Sequence, residues 1–175
     1  VYQRFRARLL RFEAPTRVAE ERPVQAGAAE VLVFGMGRVG THAYDRVRAA
    51  VGPQGVVGFD IDDRVVARHR SAGRRVLEAS ATDPDFWERL QVDKEAVRLV
   101  ILAMSSNVEN RIAIGQLRDA GFTGSVAATA RFDDEVDKLE RDGADLVFHV
   151  FADAGPALAE RALARVGLDG ARREG

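Results

Sequence analysis

Cysteine is absent from the 175 residues. Disulfide frameworks, thiolate-bound zinc and thiol nucleophiles are therefore excluded. Histidine is scarce, and His42, His69 and His149 share no metal-ligand spacing with one another or with carboxylates. They read as core or surface side chains, and no metal site is expected. Charge of one sign is missing too, because 26 Lys plus Arg balance 27 Asp plus Glu to a net of −1. No basic field is left to hold a phosphate backbone, so nucleic acid is set aside as a partner. The most continuous apolar run, Leu99 to Met104, falls far short of the ~20 residues that cross a bilayer. A water-soluble chain is expected. It starts at Val1 rather than Met and shows no leader pattern, so we read no signal peptide and expect a piece cut from a longer protein.

A chain of this length can bury enough surface for one core without a covalent or metal staple. Its first stretch differs from the rest. From Tyr2 to Ala19, Val1, Phe5, Leu9 and Phe12 mark a helical stripe ringed by Arg4, Arg6, Arg8, Arg11 and Arg17. Glu20 to Gly27 then breaks the pattern as a linker does. Residues 1–29 are thus expected as a basic amphipathic helix and linker, 30–166 as one folded domain, and 167–175 as a flexible tail. The arm has two readings: it packs its stripe on the domain or on a second copy, or it descends from a membrane part on the cytoplasmic side, where basic residues collect.

Beyond Glu30, short apolar runs alternate with amphipathic stretches, the pattern of a parallel sheet covered by helices. Strands are expected at Val31–Phe34, Val56–Asp60, Arg74–Glu78, Val97–Ala103, Ser125–Ala130 and Ala144–His149. Helices fit between them at Arg38–Ala50, Asp62–Ala72, Asp83–Leu90, Val108–Ala120 and Asp133–Arg141, with a last one from about Gly155 to Val166. The fold class is α/β, a Rossmann-type doubly wound parallel sheet of six strands with an N-terminal helical arm.

Gly35-Met36-Gly37-Arg38-Val39-Gly40 closes the first strand and opens a helix, the context that gives a G-x-G-x-x-G its meaning. The first glycine permits the tight turn, the second lets backbone amides approach a phosphate, and the third lets helix and strand pack closely. Asp60 follows Gly40 by 20 residues and ends the second strand. A carboxylate there accepts hydrogen bonds from ribose hydroxyls and repels a 2′-phosphate. An adenine nucleotide is expected, AMP, ATP or NAD/NADH, and not NADP.

Four segments carry a family resemblance: VLVFGMGRVGTHAYDRV, GFDIDDRVVARHRSAGRRVLEASATDPDFWERL, RLVILAMSSNVENRIAI and GSVAATARFDDEVDKLERDGADLVFHVFADAGPALAE. From Val31 to about Leu163 the chain resembles the nucleotide-binding regulatory domains of potassium transport proteins, the RCK, KTN or TrkA-N domains. Within them it is most similar to the cytoplasmic C-terminal domain of Kef-type cation:proton antiporters. The resemblance implies Gly35, Gly37, Arg38 and Val39 at the phosphates, and Asp60 with Ile61 at the ribose. It implies Ala81 and Thr82 beside the adenine, Ala103, Met104 and Ser105 along the ligand, and Arg131 near the phosphate end of the cleft. Asn110 matches a residue that steadies a loop. Where the family commonly writes Gly-Asp-Ala-Thr, this chain has Ala79-Ser80-Ala81-Thr82, so Ser80 stands in for an adenine-side Asp with one hydroxyl. The family further implies a homodimer joined to a membrane transport domain, on the cytoplasmic side of the cell membrane.

Asp62, Asp63, Asp83 and Asp85 read as helix-start charges rather than a catalytic or cation-binding set. Phe86 and Trp87 are expected in core and subunit packing, on a helix too short to hide both rings. A regulatory sensor and the cofactor half of an NAD-dependent oxidoreductase remain the competing functions. The second needs acid–base residues, and neither Tyr-x-x-x-Lys nor a His–carboxylate pair is present, so no catalytic residue is assigned. A scaffold that merely dimerises stays open because of Ser80.

Overall fold

The computed structural model describes residues 24–92 and 96–168. The arm helix expected over 2–19 and most of the tail lie outside the described residues. Among the described residues, eight strands and six helices follow in chain order: β1 Val24–Gly27, β2 Val31–Phe34, α1 Arg38–Val51, β3 Val56–Asp60, α2 Asp63–Ser71, β4 Val76–Glu78, α3 Pro84–Arg89, β5 Leu90–Val92, β6 Leu99–Leu102, α4 Asn107–Asp119, β7 Ser125–Ala130, α5 Asp133–Arg141, β8 Leu146–His149 and α6 Val150–Arg165.

Six of these strands form the expected parallel sheet, in the order β4-β3-β2-β6-β7-β8. Central β2 pairs on one side with β3, Val31 opposite Val56, and on the other with β6, Val31 opposite Leu99. Every residue of β2 is buried, as a strand covered by helices on both faces must be, which explains its unbroken apolar run. On one face Phe34 stacks on Phe59 with ring centroids 4.7 Å apart, and Phe86 and Trp87 close over them edge-on or tilted. On the other face Val33, Met36, Tyr44, Val56 and Val66 make a second core.

The remaining strands depart from expectation. β1 and β5 pair in parallel, Val24 with Leu90, as a separate two-stranded ribbon in what reads locally as linker and helix end. The short helix α3 also differs from its reading, for Phe86 is 1% and Trp87 6% exposed. Both rings are hidden inside their own chain, because the Phe34–Phe59 stack offers them a ready apolar floor. The last helix begins at Val150 rather than Gly155, its first turn capped by His149 Nδ1, which accepts from the Ala152 amide at 2.8 Å. No residue of α6 is buried. Among the described residues, no helix is long and apolar enough to cross a membrane.

Candidate functional site

The strand order reverses direction of travel at β2, with β3 laid down on one side and β6 on the other. In such a sheet the loops leaving the carboxyl ends of those strands part and leave a crevice. Here the crevice is a cavity of about 710 Å³, within the size range of small-molecule sites.

The glycine loop forms its floor, and each glycine answers to a different constraint. Gly35 has φ +82°, and a Cβ there would lie 2.7 Å from the Met104 amide nitrogen. Gly40 would place a Cβ 1.9 Å from the Gly35 carbonyl oxygen. Those two are demanded by the fold. Gly37 is not: its φ is −71° and a Cβ there meets nothing within 4 Å. The space it keeps clear belongs to the cavity, directly over the amino end of α1, where Gly37 caps the helix without a side-chain hydrogen bond. Free first-turn amides and the helix dipole aim there at an anion.

Asp60 stands at the end of β3 beside this loop. Its Oδ2 accepts from the Met36 amide at 2.8 Å and its Oδ1 from the Asp62 amide at 3.0 Å. One carboxylate therefore sets the first turn of the loop and the entry of α2, and still lines the cavity. Ile61, next to it, is 74% exposed on the rim. The third wall is the Ala79–Thr82 turn. Ser80 Oγ accepts from the Thr82 amide at 3.2 Å and lies 2.8 Å from the Thr82 hydroxyl. Trp87 Nε1 donates to the Ala81 carbonyl at 3.0 Å, so the buried ring of α3 fastens the turn from beneath.

Across the switch point, Ala103, Met104 and Ser105 continue β6 along the cavity, and Arg131 ends β7. Asn110 is 1% exposed, and its Nδ2 donates to the Met104 carbonyl at 3.3 Å and the Thr129 carbonyl at 3.2 Å. It holds the two loops in place, as the resemblance implies. Glu135 is occupied in the same way. Its Oε2 accepts from the Arg131 amide at 2.7 Å and the Phe132 amide at 3.3 Å, capping α5. Arg38 and Arg131 both line the cavity, and their guanidinium groups form no ion pair among the described residues.

Of the site residues expected from sequence, all line the cavity except Met36 and Gly40. The Met36 side chain is fully buried in the second core, so it offers the cavity only backbone. Gly40 acts through packing. Sequence reasoning overlooked Asn107, Glu109, Phe132, Glu135, Val150 and Phe151, which complete the walls. Phe132 follows a strand end and was findable from the rule that ligands sit at carboxyl edges. Phe151 was hidden by the misplaced start of α6.

The profile of the TrkA-N domain matches residues 31–150. Among curated proteins, none matches the chain in sequence. Many solved structures share the fold, among them three domains. The NAD(P)-binding domain of an exopolyphosphatase-related protein from Archaeoglobus fulgidus superposes with a TM-score of 0.68 at 20% identity, covering 78% of this chain and 98% of that one. The TrkA-N domain of the inner membrane protein ybaL from Escherichia coli gives 0.64 at 22% identity, with 75% and 95% covered. The Kef CTD of Shewanella denitrificans in its AMP-bound form gives 0.59 at 17% identity, with 78% and 80% covered.

Proposed function

The chain belongs to the TrkA-N domain family, and from that premise we propose that it is the nucleotide-binding regulatory domain of a monovalent cation transporter, responding to an adenine nucleotide without a 2′-phosphate. Gly37 carries the reading. The fold has no use for a glycine there, yet the position is kept clear over the amides of α1, where a phosphate needs close backbone approach. Asp60 then faces the sugar, Ser80, Ala81 and Thr82 the base, and Ala103, Met104, Ser105 and Arg131 the far side of the ligand. The AMP carried by the Kef CTD and the inner-membrane setting of ybaL, named above, support this choice of ligand and partner.

The module acts by binding and not by turnover. Two of its three cavity carboxylates serve as structural acceptors, Asp60 on two backbone amides and Glu135 on two more. Among the described residues, no histidine, lysine, tyrosine or cysteine lines the cavity to share proton transfer with them. Calorimetric titration of AMP, NADH and NADPH into the chain tests the ligand class, and tightest binding of NADPH would overturn it. Steady change in nicotinamide absorbance with a panel of small alcohols and acids would overturn the binding-only role.

The homodimer belongs to the same proposal, with its contact moved. Phe86 and Trp87 are used up in the core, but Phe151, Leu158 and Leu163 of α6 are exposed. A 16-residue helix without a buried residue gains little from its own domain beyond its cap and the first-turn residues Val150 and Phe151 at the cavity. A second copy supplies the missing cover. Ligand binding reaches the membrane part only if it favours one arrangement of the pair over another. Light scattering that gives 19.1 kDa, the mass of one chain, at tens of micromolar with and without AMP would reject the pair.

A further inference from the structure

His69 has no part in the binding reading, although it is one of two buried polar side chains among the described residues. It lies on α2, three residues after the buried Val66, on a face that is otherwise apolar. Its Nε2 is 2.8 Å from the Met36 carbonyl oxygen. A carbonyl only accepts, so the ring carries its proton on Nε2. Nδ1 is buried with no partner, a cost that an apolar side chain at this position would not incur. The histidine is thus poorly suited to packing and well suited to gripping one carbonyl of the glycine loop.

Thr41, one turn into α1, grips the same segment. Its hydroxyl is 3.1 Å from the Met36 carbonyl and 2.6 Å from the Gly37 carbonyl. It also lies 3.4 Å from His69 Nε2. In a trans peptide the carbonyl and the following N–H point in opposite directions within one plane. Drawing the Met36 carbonyl back toward α2 therefore turns the Gly37 N–H the other way, toward the cavity. Drawing the Gly37 carbonyl along α1 does the same for the Arg38 N–H. From the front, Asp60 accepts from the Met36 amide at 2.8 Å, so Met36 is held at both its N–H and its carbonyl, in the two successive peptides that lead to Gly37.

We propose that His69, together with Thr41, is a positioning residue that braces the glycine loop from behind and aims the Gly37 and Arg38 amides at the phosphate of the bound nucleotide. The inference rests on the nucleotide reading above and adds to it how the phosphate is selected. The brace touches no part of the ligand, and its contribution reaches only the phosphate, leaving the adenosine moiety to Asp60 and the Ala79–Thr82 turn.

That division supplies the test. AMP and adenosine are titrated into the full chain and into His69→Leu, His69→Gln and Thr41→Val, with a thermal melt on each. His69→Leu is expected to weaken AMP roughly tenfold, the size of one well-aimed hydrogen bond, and to leave adenosine unchanged. His69→Gln, whose amide again donates to the Met36 carbonyl, recovers most of the loss. Thr41→Val weakens AMP in the same selective way, and decides the matter if His69→Leu does not fold. Equal losses for AMP and adenosine, or undiminished AMP binding in both His69→Leu and Thr41→Val, would overturn the brace. Wild-type chain that binds AMP no more tightly than adenosine would overturn the nucleotide reading itself, before any variant is compared.

Discussion

In the half of the sheet that carries the glycine loop, Phe34, Phe59, Phe86 and Trp87 are each at most 6% exposed, and the loop is hydrogen-bonded from both sides. At the opposite edge, Leu146 and Phe148 of β8 are 63% and 45% exposed, and α6 buries none of its residues. Among the described residues, one half holds a closed aromatic core, whereas the other ends in a half-exposed strand and a helix with no buried residue. Under the proposed function, the difference separates two tasks. A site that must select a ligand needs its groups fixed beforehand, since ordering them at binding costs affinity. A surface that must respond to the ligand has to retain more than one arrangement, and low local packing provides it.

Substitutions of similar size should therefore have unlike consequences in the two halves. Phe86→Ala removes a ring that contacts Phe34, Phe59 and Trp87, and is expected to cost about 3–5 kcal/mol in urea unfolding. Phe151→Ser removes an equal ring from α6 and should alter monomer stability by no more than about 0.5 kcal/mol, while weakening self-association in sedimentation. A large stability loss from Phe151→Ser at concentrations where the chain is monomeric would show that α6 packs on its own domain, and the contrast would fail.

A second pair sharpens the comparison inside the closed half. Gly40→Ala drives a methyl into the Gly35 carbonyl, backbone against backbone, and should destabilise by about 3 kcal/mol. Gly37→Ala meets no atom, so thermal stability should hold while AMP binding is lost in calorimetry. AMP binding that survives Gly37→Ala would remove the strongest support for a phosphate at that position.

Across the cavity, Asp60 and Arg131 test whether the wall of the closed half also dominates affinity. Asp60→Ala is expected to weaken nucleotide binding by about 1–3 kcal/mol, as for charged hydrogen bonds lost from a partly buried site. Arg131 is exposed, so Arg131→Gln should cost under about 1 kcal/mol. The reverse order would place the anchoring contacts on the β7 side.

What the sequence made legible follows the same division. The six-stranded sheet was readable because each strand is a buried apolar run bracketed by polar helix starts, and Asp60 and the glycines because their chemistry is tied to spacing. The β1–β5 ribbon was not. Val24 finds Leu90 across 66 positions, and neither segment carries a periodic signal of its own. Gly155 and Pro156 disguised the start of α6, since both normally interrupt a helix; here the helix is surrounded by solvent, which can satisfy a carbonyl that Pro156 leaves without a donor. Phe86 and Trp87 were misjudged because burial depends on what lies beneath a helix, and Phe34 and Phe59 are distant in sequence. His69 was read as packing because a lone histidine on an apolar helical face has no spacing to betray the carbonyl it reaches.

The smallest expected effect compares one carboxylate from each half. Asp45 of α1 is held below the ordinary carboxylate range chiefly by its two hydrogen bonds from Arg74, both 2.7 Å. Asp145, just before β8, is held low first by the Val126 amide at 2.7 Å and then by Arg118 at 3.0 Å. A folded-state value below the unfolded one means that the native chain binds fewer protons. The resulting stability is present above about pH 4, the ordinary carboxylate value, and is lost as pH falls through the depressed folded value. Both side chains are about half exposed, so solvent screening limits each contribution to about 0.5 kcal/mol. Asp45→Asn should lose the charge pairing and one of the two Arg74 hydrogen bonds, because the amide nitrogen that replaces one carboxylate oxygen cannot accept. Asp145→Asn should lose less, because the amide oxygen still accepts from Val126 and only the charge on Arg118 goes unanswered. Urea unfolding at pH 7, 4 and 2 should therefore show both variants below wild type at pH 7, Asp45→Asn the lower, with all three converging by pH 2. A gap that stays constant across pH would mean that these carboxylates hold the helix and strand by shape alone, and that the acid sensitivity of each half arises elsewhere.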